Sequence, residues 1–257
     1  MTKDKARYLT VPRLAKIDGL VHGFGDGGWS EADFLAFAAS RNMRPVIMCQ
    51  LHSDTVHRLE EAPAGKLEGD ALMTNVSGLL LVIRTADCLP IFLVDAKNRA
   101  VAAVHCGWRG TEKRILEKAV LAMVRSYGSK PEEMLAAPGP CIGSACYEVG
   151  PEVRAGFLRA GFPPSVFTEC PERGHVPSTH VPTSLPVSPA ESPGGPGKSF
   201  LDLRAANVWL LREMGFKKEN ILDCGLACTH CEPHFLSYRR DPGEPRRMYN
   251  FIGLTPR

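Results

Sequence analysis

The stretch PIFLVDAKNRAVAAVHC, residues 90–106, decides the fold class of this chain. It contains two apolar runs, PIFLVD and RAVAAVHC, separated by AKN. Short apolar runs rich in valine and isoleucine are typical of buried strands. A connection this short suits an antiparallel hairpin and cannot hold the crossover that parallel strands need. We therefore expect a sheet that is at least partly antiparallel.

Two further apolar runs precede the hairpin. RPVIMCQLHS (residues 44–53) and GLLLVIRTADC (residues 78–88) have the pattern of buried strands followed by turn residues. These strands are predicted to carry His52 and Cys88 at their ends, as the hairpin carries His105. Three side chains that can bind a metal thus follow three predicted strands.

A helix is predicted directly after the hairpin. In EKRILEKAVLAMVRSYG (residues 112–128) apolar residues recur at helical spacing, with Thr111 as the expected N-cap and Gly128 as the stop. His105 and Arg109 should then lie close to the start of this helix, where free N–H groups can donate hydrogen bonds to a phosphate. Strands, a hairpin and helices together indicate an α+β fold.

The last third of the chain contains a proline-rich insertion. Residues 171–197 are rich in proline, glycine and serine and cannot build a core, so we expect a surface loop in which His175 and His180 are solvated. A helix over residues 200–215 should follow, and then strands at FLSYRR and YNFIGL. No break in composition requires a second domain, so we predict a single domain over residues 1–257.

Composition excludes several classes of protein. A net charge of +3 on 257 residues is too small to indicate nucleic-acid binding. The sequence has no secretion signal and no apolar stretch of about 18 residues, so we expect a cytoplasmic protein that does not enter membranes. There its nine cysteines would stay reduced. The sequence carries no signal of oligomeric state.

His52, Cys88 and His105 form the first candidate site. A catalytic zinc ion is held by three protein ligands from histidine, cysteine and carboxylate, with a fourth position left open. Two imidazoles and one thiolate meet that requirement. The alternative is that Cys88 fills the core, as buried cysteines commonly do.

Six segments of the chain resemble one known family. QLHSDTV, EGDALMT, TADCLPIFLVD, AVHCGWRGT, PGPCIGSACYEVG and CTHCEPHFLSYRRD are similar, in this order, to the YfiH or laccase-domain family, formerly called multicopper polyphenol oxidase. The resemblance implies that His52, Cys88 and His105 bind zinc. It also implies an α/β/β/α-type sandwich, with mixed β-sheets layered between helices. The implied activity is that of a purine nucleoside enzyme, which phosphorolyses adenosine, inosine and methylthioadenosine and deaminates adenosine.

Deamination and phosphorolysis need different side chains around the substrate. Deamination requires an activated water and a carboxylate that moves its proton, and Asp87 is the nearest carboxylate to Cys88 in sequence. Asp87 is equally suited to a hydrogen bond with backbone in the turn. Phosphorolysis requires positive charge around a phosphate, and the candidates are Arg109 and one of the adjacent pair Arg239 and Arg240.

Three positions depart from the family pattern. Ser53 stands where a glycine usually follows the zinc-binding histidine, which changes the loop geometry. GFGDGG lacks the basic residue common before the glycine pair, so the resemblance does not extend to that part of the substrate contact. In GEPRR either Arg246 or Arg247 replaces the arginine that the family carries near its C-terminus.

Three other functions compete with this interpretation. Copper oxidation of phenols needs a cluster of imidazoles, but none of the eight histidines has another histidine two residues away. A metal-free hydrolase would use Cys88 as a nucleophile, activated by His52 or His105, to cleave amide bonds in peptidoglycan precursors. The third alternative is a binding protein that has kept the fold without the activity.

The segment CGLACTHCEPHF, residues 224–235, has the highest local density of metal-ligating residues. A structural zinc site would need further ligands at a defined spacing, and none follows this segment. We therefore expect Cys228 and Cys231 to be reduced and free of metal, and to shape the wall of the pocket.

Overall fold

A computed structural model provides the fold, and the structure describes residues 7–168, 197–222 and 227–256. The strands are β1 (Tyr8–Leu9), β2 (Leu20–Gly25), β3 (Arg44–Ile47), β4 (Val56–Leu59), β5 (Ala71–Thr74), β6 (Leu79–Thr85), β7 (Leu89–Asp95), β8 (Ala100–Cys106), β9 (Leu135–Pro138), β10 (Glu148–Val149), β11 (Phe167–Thr168), β12 (Ser199–Leu201) and β13 (Met248–Leu254). The helices are α1 (Glu31–Ser40), α2 (Trp108–Glu112), α3 (Ile115–Tyr127), α4 (Pro151–Arg159) and α5 (Leu203–Glu213). The predicted loop at residues 171–197, with His175 and His180, lies outside the described residues except for Gly197.

Two five-stranded sheets form the centre of the fold. One has the strand order β1-β2-β13-β6-β3 and the other β4-β5-β8-β7-β9. Strands β7 and β8 pair antiparallel from Leu89 opposite Cys106 to Asp95 opposite Ala100, which confirms the predicted hairpin. Strands β3 and β6 pair parallel, as do β4 and β5, so both sheets are mixed.

Three apolar layers hold the sheets and helices together. The inner faces of the two sheets meet around residues such as Phe24 and Phe92, whose rings stack with centroids 4.4 Å apart. The outer face of the second sheet packs on α3, α4 and α5, and the outer face of the first sheet packs on α1. Because each sheet alternates its side chains between two apolar faces, both must be covered. The result is an α/β/β/α sandwich, and the predicted α+β fold class is confirmed.

The helix that follows the hairpin differs from its prediction at its start. Thr111 is not an N-cap: α2 begins at Trp108, directly after Gly107, and Arg114 in the left-handed conformation (φ 60°) separates it from α3. Thr111 is buried, and its hydroxyl accepts a hydrogen bond from Asn207 at 3.0 Å. Gly128 ends α3 with a φ of 67°, as predicted.

The predicted strand at FLSYRR is wrong. Residues 235–240 form a loop that ends in a turn at residues 238–240, where the Arg239 N–H donates to the Asp87 carboxylate at 2.7 Å and the Arg240 guanidinium donates to carbonyls of its own loop. These hydrogen bonds, one to a distant carboxylate and the others within the loop, hold the segment without a neighbouring strand. YNFIGL does lie in a strand, β13.

Lowering the pH should destabilise the fold because of His22. This residue is buried in β2 and accepts a hydrogen bond from the Val11 N–H at 2.9 Å, and burial lowers its pKa from 6.5 to about 4. The folded state keeps the imidazole neutral, whereas the unfolded state protonates it below about pH 6.5. We expect up to roughly 3 kcal/mol of unfolding free energy to be lost between pH 6.5 and 4.

The measurement is urea denaturation of the wild type and of His22→Gln across this pH range. The glutamine would offer an amide oxygen to the same N–H but does not titrate, so the stability difference between the two proteins should shrink as the pH falls. A difference independent of pH would contradict the prediction.

Candidate metal centre and active site

The loop after β3 carries His52, five residues beyond the strand end at which it was predicted. His52 has a φ of 57°, and the N–H groups of Leu51, His52 and Ser53 turn toward one carboxylate. That carboxylate is Asp70, fully buried just before β5, which accepts from the three N–H groups at 3.2, 3.0 and 2.6 Å and from the Ser53 hydroxyl at 2.6 Å. The Asp70 charge therefore fixes the loop, and the serine that replaces a glycine adds one of its hydrogen bonds.

The same carboxylate also orients His105. This residue is buried near the end of β8, and its Nδ1 lies 2.7 Å from Oδ1 of Asp70. A carboxylate on Nδ1 fixes the tautomer and leaves Nε2 free to bind a metal. Although burial would raise the pKa of Asp70, the hydrogen bonds from His105 and Ser53 hold that pKa well below its usual range. Asp70 was not predicted as a site residue, although an aspartate directly before the apolar run ALM was a signal of an internal partner.

Cys88 completes the cluster. It lies in the short connection between β6 and β7, with its Sγ 3.8 Å from His52 Nε2. The ligand atoms of His52, Cys88 and His105 all lie within 4.8 Å of one another. A tetrahedral ion with bonds of about 2.0–2.3 Å holds its ligand atoms about 3.3–3.8 Å apart, so small side-chain movements bring the three onto one ion. These residues fit a metal ion with an open fourth position.

Gly107 allows this close approach. A Cβ at this position would lie 2.9 Å from His52 Cδ2 and 3.0 Å from Cys88 Sγ. The side chain of any other residue would therefore press on two of the three candidate ligands. The glycine of the HCGWRG segment is required by the packing of the cluster.

Electrostatics within the cluster favour a thiolate. Burial alone would raise the pKa of Cys88, but the charge of His105 and hydrogen bonds from both histidines outweigh burial and lower it to about 6. Burial would likewise lower the pKa of His105, but Cys88 and Asp70 raise it to about 9. The pair therefore favours a negative sulfur beside a positive ring, and a thiolate is the form of cysteine that binds metals and that attacks substrates.

Asp87 lies next to the cluster and is buried, with a φ of 85°. Strand β6 ends at Thr85, before Asp87. An acid/base role requires this, because neighbouring residues in a strand point to opposite faces, and Asp87 would then point away from Cys88. One carboxylate oxygen accepts from the Thr229 hydroxyl and the other from the Arg239 N–H, both at 2.7 Å. Of the two roles left open by the sequence, these contacts favour hydrogen bonding, which holds the loop of Arg239 against the site.

A cavity of about 700 Å³ opens above the cluster. Its volume is in the range that encloses a small organic ligand. Its lining includes four arginines and three large aromatic residues, which are Arg84, Arg109, Arg239, Arg247, Trp108, Tyr147 and Tyr238. Cations and ring faces thus surround the space next to the candidate metal ligands.

The structure separates the adjacent arginines. Arg239 lines the cavity, with its guanidinium 5.5 Å from the Tyr147 ring centroid and 2.9 Å from the Glu148 carbonyl. Arg240 does not line it, because its guanidinium donates to the carbonyls of Thr229, His230 and Phe235. Arg240 is therefore placed to hold its own loop rather than a ligand.

Three further arginines line the cavity, and each comes from a different part of the chain. Arg109 lies on the ring of Trp108 with a separation of 4.3 Å, in the five-residue helix α2. Of the two candidates in GEPRR, Arg247 lines the cavity, whereas Arg246 pairs with Glu244 at the surface. Arg84 also lines the cavity and was not predicted. Its signal was a charged residue, partly buried here, in the otherwise uncharged and buried strand LLLVIRT.

The chain is an α/β/β/α sandwich with a His–Cys–His cluster beneath a cavity. This fold and this site together define a class of proteins with a candidate metal centre. A sequence model described as multi-copper polyphenol oxidoreductase laccase matches residues 31–255. The chain belongs to this family, the YfiH or laccase-domain family. None of the helices in the described ranges could cross a membrane.

Two relatives agree with this family assignment, and one solved structure shares the fold. The purine nucleoside phosphorylase of Deinococcus radiodurans is 38% identical over 87% of this chain and 74% of its own length. Adenosine deaminase RL5, from an unknown prokaryotic organism, is 38% identical over 68% of this chain and 58% of its own length. The crystal structure of Bacillus licheniformis hypothetical protein YfiH has a TM-score of 0.81, with 24% identity over 98% of both chains, which supports the fold.

Proposed function

We propose that the protein is a zinc-dependent purine nucleoside enzyme that phosphorolyses adenosine, inosine and methylthioadenosine and deaminates adenosine. The observation that carries the proposal is the position of the His52, Cys88 and His105 cluster beneath a cavity lined by arginines and aromatic rings. Relatives named purine nucleoside phosphorylase and adenosine deaminase support the substrate class. Seven free cysteines in the described ranges suit the cytoplasm, the compartment that we propose.

The cavity offers separate partners for the parts of the substrates. Guanidinium groups bind phosphate oxygens through paired N–H donors, and Arg239 and Arg109 provide such groups beside the cluster. Aromatic side chains such as Tyr147 offer a face to a purine ring. A phosphate held by arginines can then attack the ribose carbon while the purine leaves with the electrons of the glycosidic bond.

Zinc would supply a Lewis acid at the floor of the cavity. His52, Cys88 and His105 would hold it, with Asp70 fixing two of them in place. In deamination, Asp87 must move a proton between water and the leaving amine. To do so it has to give up its hydrogen bond from Thr229 or from Arg239.

The experiment incubates zinc-loaded protein with adenosine, with and without phosphate, and identifies the products. Adenine with ribose 1-phosphate is expected only with phosphate, and inosine in both conditions. Neither product from the wild type, or both products undiminished in Cys88→Ala, would show that the proposed mechanism is wrong.

Arg239→Ala should weaken phosphate binding. Loss of a charge-assisted pair of hydrogen bonds costs about 1.5–3 kcal/mol, so the KM for phosphate should rise roughly 10- to 100-fold. Steady-state phosphorolysis measures it at a fixed nucleoside concentration. Arg246→Ala is the matched control, since Arg246 is exposed and paired with Glu244, and it should leave this KM unchanged. Equal KM values for the two variants would exclude Arg239 as a phosphate ligand.

A metal-free cysteine hydrolase acting on peptidoglycan precursors is the second candidate. The lowered pKa of Cys88 and its 3.8 Å separation from His52 Nε2 favour it, since a thiolate beside an imidazole is also a nucleophile. A chelator abolishes activity in the nucleoside enzyme, whereas an alkylating agent that traps Cys88 in active, zinc-free protein supports the hydrolase. Copper at several equivalents per chain, with turnover of a phenol, would support the oxidase that the family description names.

A further inference from the structure

Three cysteines and one histidine meet on the outer side of the cavity wall. Cys146 ends the 3-10 turn Ser144–Cys146, and Cys228, His230 and Cys231 lie in one turn of the segment CTHC. We call these four residues the Cys146 cluster. None of them lines the cavity above His52, Cys88 and His105, so the cluster is separate from the site already described.

Three of the four ligand atoms of the Cys146 cluster, those of Cys146, His230 and Cys231, converge. The sulfurs of Cys146 and Cys231 lie 3.4 Å apart, and both lie within 4.8 Å of a ring nitrogen of His230. Cys146 and His230 are half-buried and Cys231 is exposed. An ion can therefore reach the cluster from solvent, while the two partly buried side chains keep it in place.

Cys228 places a third sulfur beside this group, and its electrostatic interactions with Cys146 and Cys231 show that the three thiols are neighbours. Its Sγ accepts the Gly143 N–H at 3.1 Å. Backbone N–H donors stabilise the charged form of a sulfur. A Cβ on Gly143 would lie 3.2 Å from this sulfur, so the glycine gives the backbone its close approach.

The 3.4 Å between the Cys146 and Cys231 sulfurs matches a metal site better than a disulfide. Bonded sulfurs lie about 2.05 Å apart, whereas two thiolates on a tetrahedral zinc ion with bonds of about 2.3 Å lie about 3.8 Å apart. A disulfide would use two of the three sulfurs and leave the third and the imidazole without a role. Three cysteines and one histidine form a complete ligand set for structural zinc.

We propose that Cys146, Cys228, His230 and Cys231 bind a second zinc ion, which has a structural role. This differs from the expectation that Cys228 and Cys231 are free of metal. That expectation considered only ligands that follow the segment, whereas Cys146 precedes it by 82 residues and is brought to it by the fold.

The ion would join two chain segments that contact each other at the cavity. Tyr147 is next to Cys146, and Arg239, eight residues beyond Cys231, has its guanidinium 5.5 Å from the Tyr147 ring centroid. The Arg240 guanidinium donates to the His230 carbonyl at 2.9 Å and supports the ligand turn from behind. Zinc at this place would hold the arginine and the aromatic ring at a fixed separation.

The test counts zinc in full-length protein purified under reducing conditions and dialysed against metal-free buffer. We expect two equivalents in the wild type and one in Cys88→Ala, which has lost the first site. Cys88→Ala combined with Cys146→Ser and Cys231→Ser should bind none. Cys49→Ala removes an exposed thiol outside both clusters and should keep two equivalents.

Cobalt substitution gives a readout that does not depend on activity. In Cys88→Ala, one equivalent of cobalt should show strong thiolate-to-metal charge transfer, which His230→Ala and Cys231→Ser each weaken in protein that remains folded by circular dichroism. A Cys88→Ala protein without zinc and without this absorption would overturn the proposal. Recovery of Cys146 in a disulfide with Cys228 or Cys231 from freshly prepared, reduced protein would also overturn it.

Discussion

Cys88→Ala is expected to bind zinc at the His52, Cys88 and His105 cluster at least about 100-fold more weakly than the wild type, and nucleoside turnover should fall by a similar factor. Loss of an orienting outer partner alone costs about 10- to 100-fold in metal affinity, and loss of a ligand costs more. The remaining histidines would hold the ion with two bonds. Metal titration against a competing chelator measures the affinity, and product analysis measures the turnover.

Histidine variants provide a matched control for this prediction. His52→Gln removes a candidate ligand and should reproduce the loss. His57→Gln changes a nearby histidine in β4, which contacts the Glu68 carbonyl and lies outside the cavity, and should keep affinity and turnover. If Cys88→Ala keeps wild-type zinc affinity at the His52, Cys88 and His105 cluster but loses turnover, the thiol acts as a nucleophile and the hydrolase is the better description.

Asp70→Asn is expected to have the second large effect. The buried carboxylate accepts three backbone N–H groups and one hydroxyl and contacts His105, and an amide would turn an NH2 group toward at least one of these donors. We expect a loss of about 2–4 kcal/mol in unfolding free energy. Zinc affinity at the first site should fall about 10- to 100-fold, because the ring of His105 and the loop of His52 lose their common support.

Both quantities can be measured on the same sample, by urea denaturation of metal-free protein and by zinc competition. Asp54→Asn is the matched control: Asp54 forms a partly exposed ion pair with Lys118, and such pairs contribute about 1 kcal/mol or less. Zinc affinity that stays within about twofold of the wild type in Asp70→Asn would contradict the role assigned to this carboxylate.

The local sequence was sufficient for most of the architecture. Apolar runs and a short connection predicted the β7–β8 hairpin, and helical spacing predicted α3 and α5, because strands and helices leave periodic patterns within a few residues. The exceptions were Thr111 and residues 235–240. The Thr111 hydroxyl accepts from Asn207 and the Arg239 N–H donates to Asp87, and no local pattern records such hydrogen bonds between distant residues.

The candidate ligands were within reach of the sequence, since His52, Cys88 and His105 follow apolar runs and stand in motifs similar to one family. The residue that holds two of these ligands in place, Asp70, could not be predicted from the sequence. Asp70 serves two ligands at once only because β5 and β8 are neighbours in one sheet, which brings the loop of His52 beside the ring of His105.

The sequence by itself determined the fold class and the hairpin, because both depend on residue type and short spacing, and its resemblance to one family indicated the three candidate metal ligands. The tertiary structure decided which arginine faces the cavity, which hydrogen bonds Asp87 accepts and which cysteine joins the CTHC segment. Arg239 and Arg240 are adjacent yet point to different partners, and Cys146 and Cys231 are 85 residues apart yet have their sulfurs 3.4 Å apart. The direction of a side chain in a turn and the meeting of distant segments are fixed by long-range packing, which leaves no periodic trace in the chain.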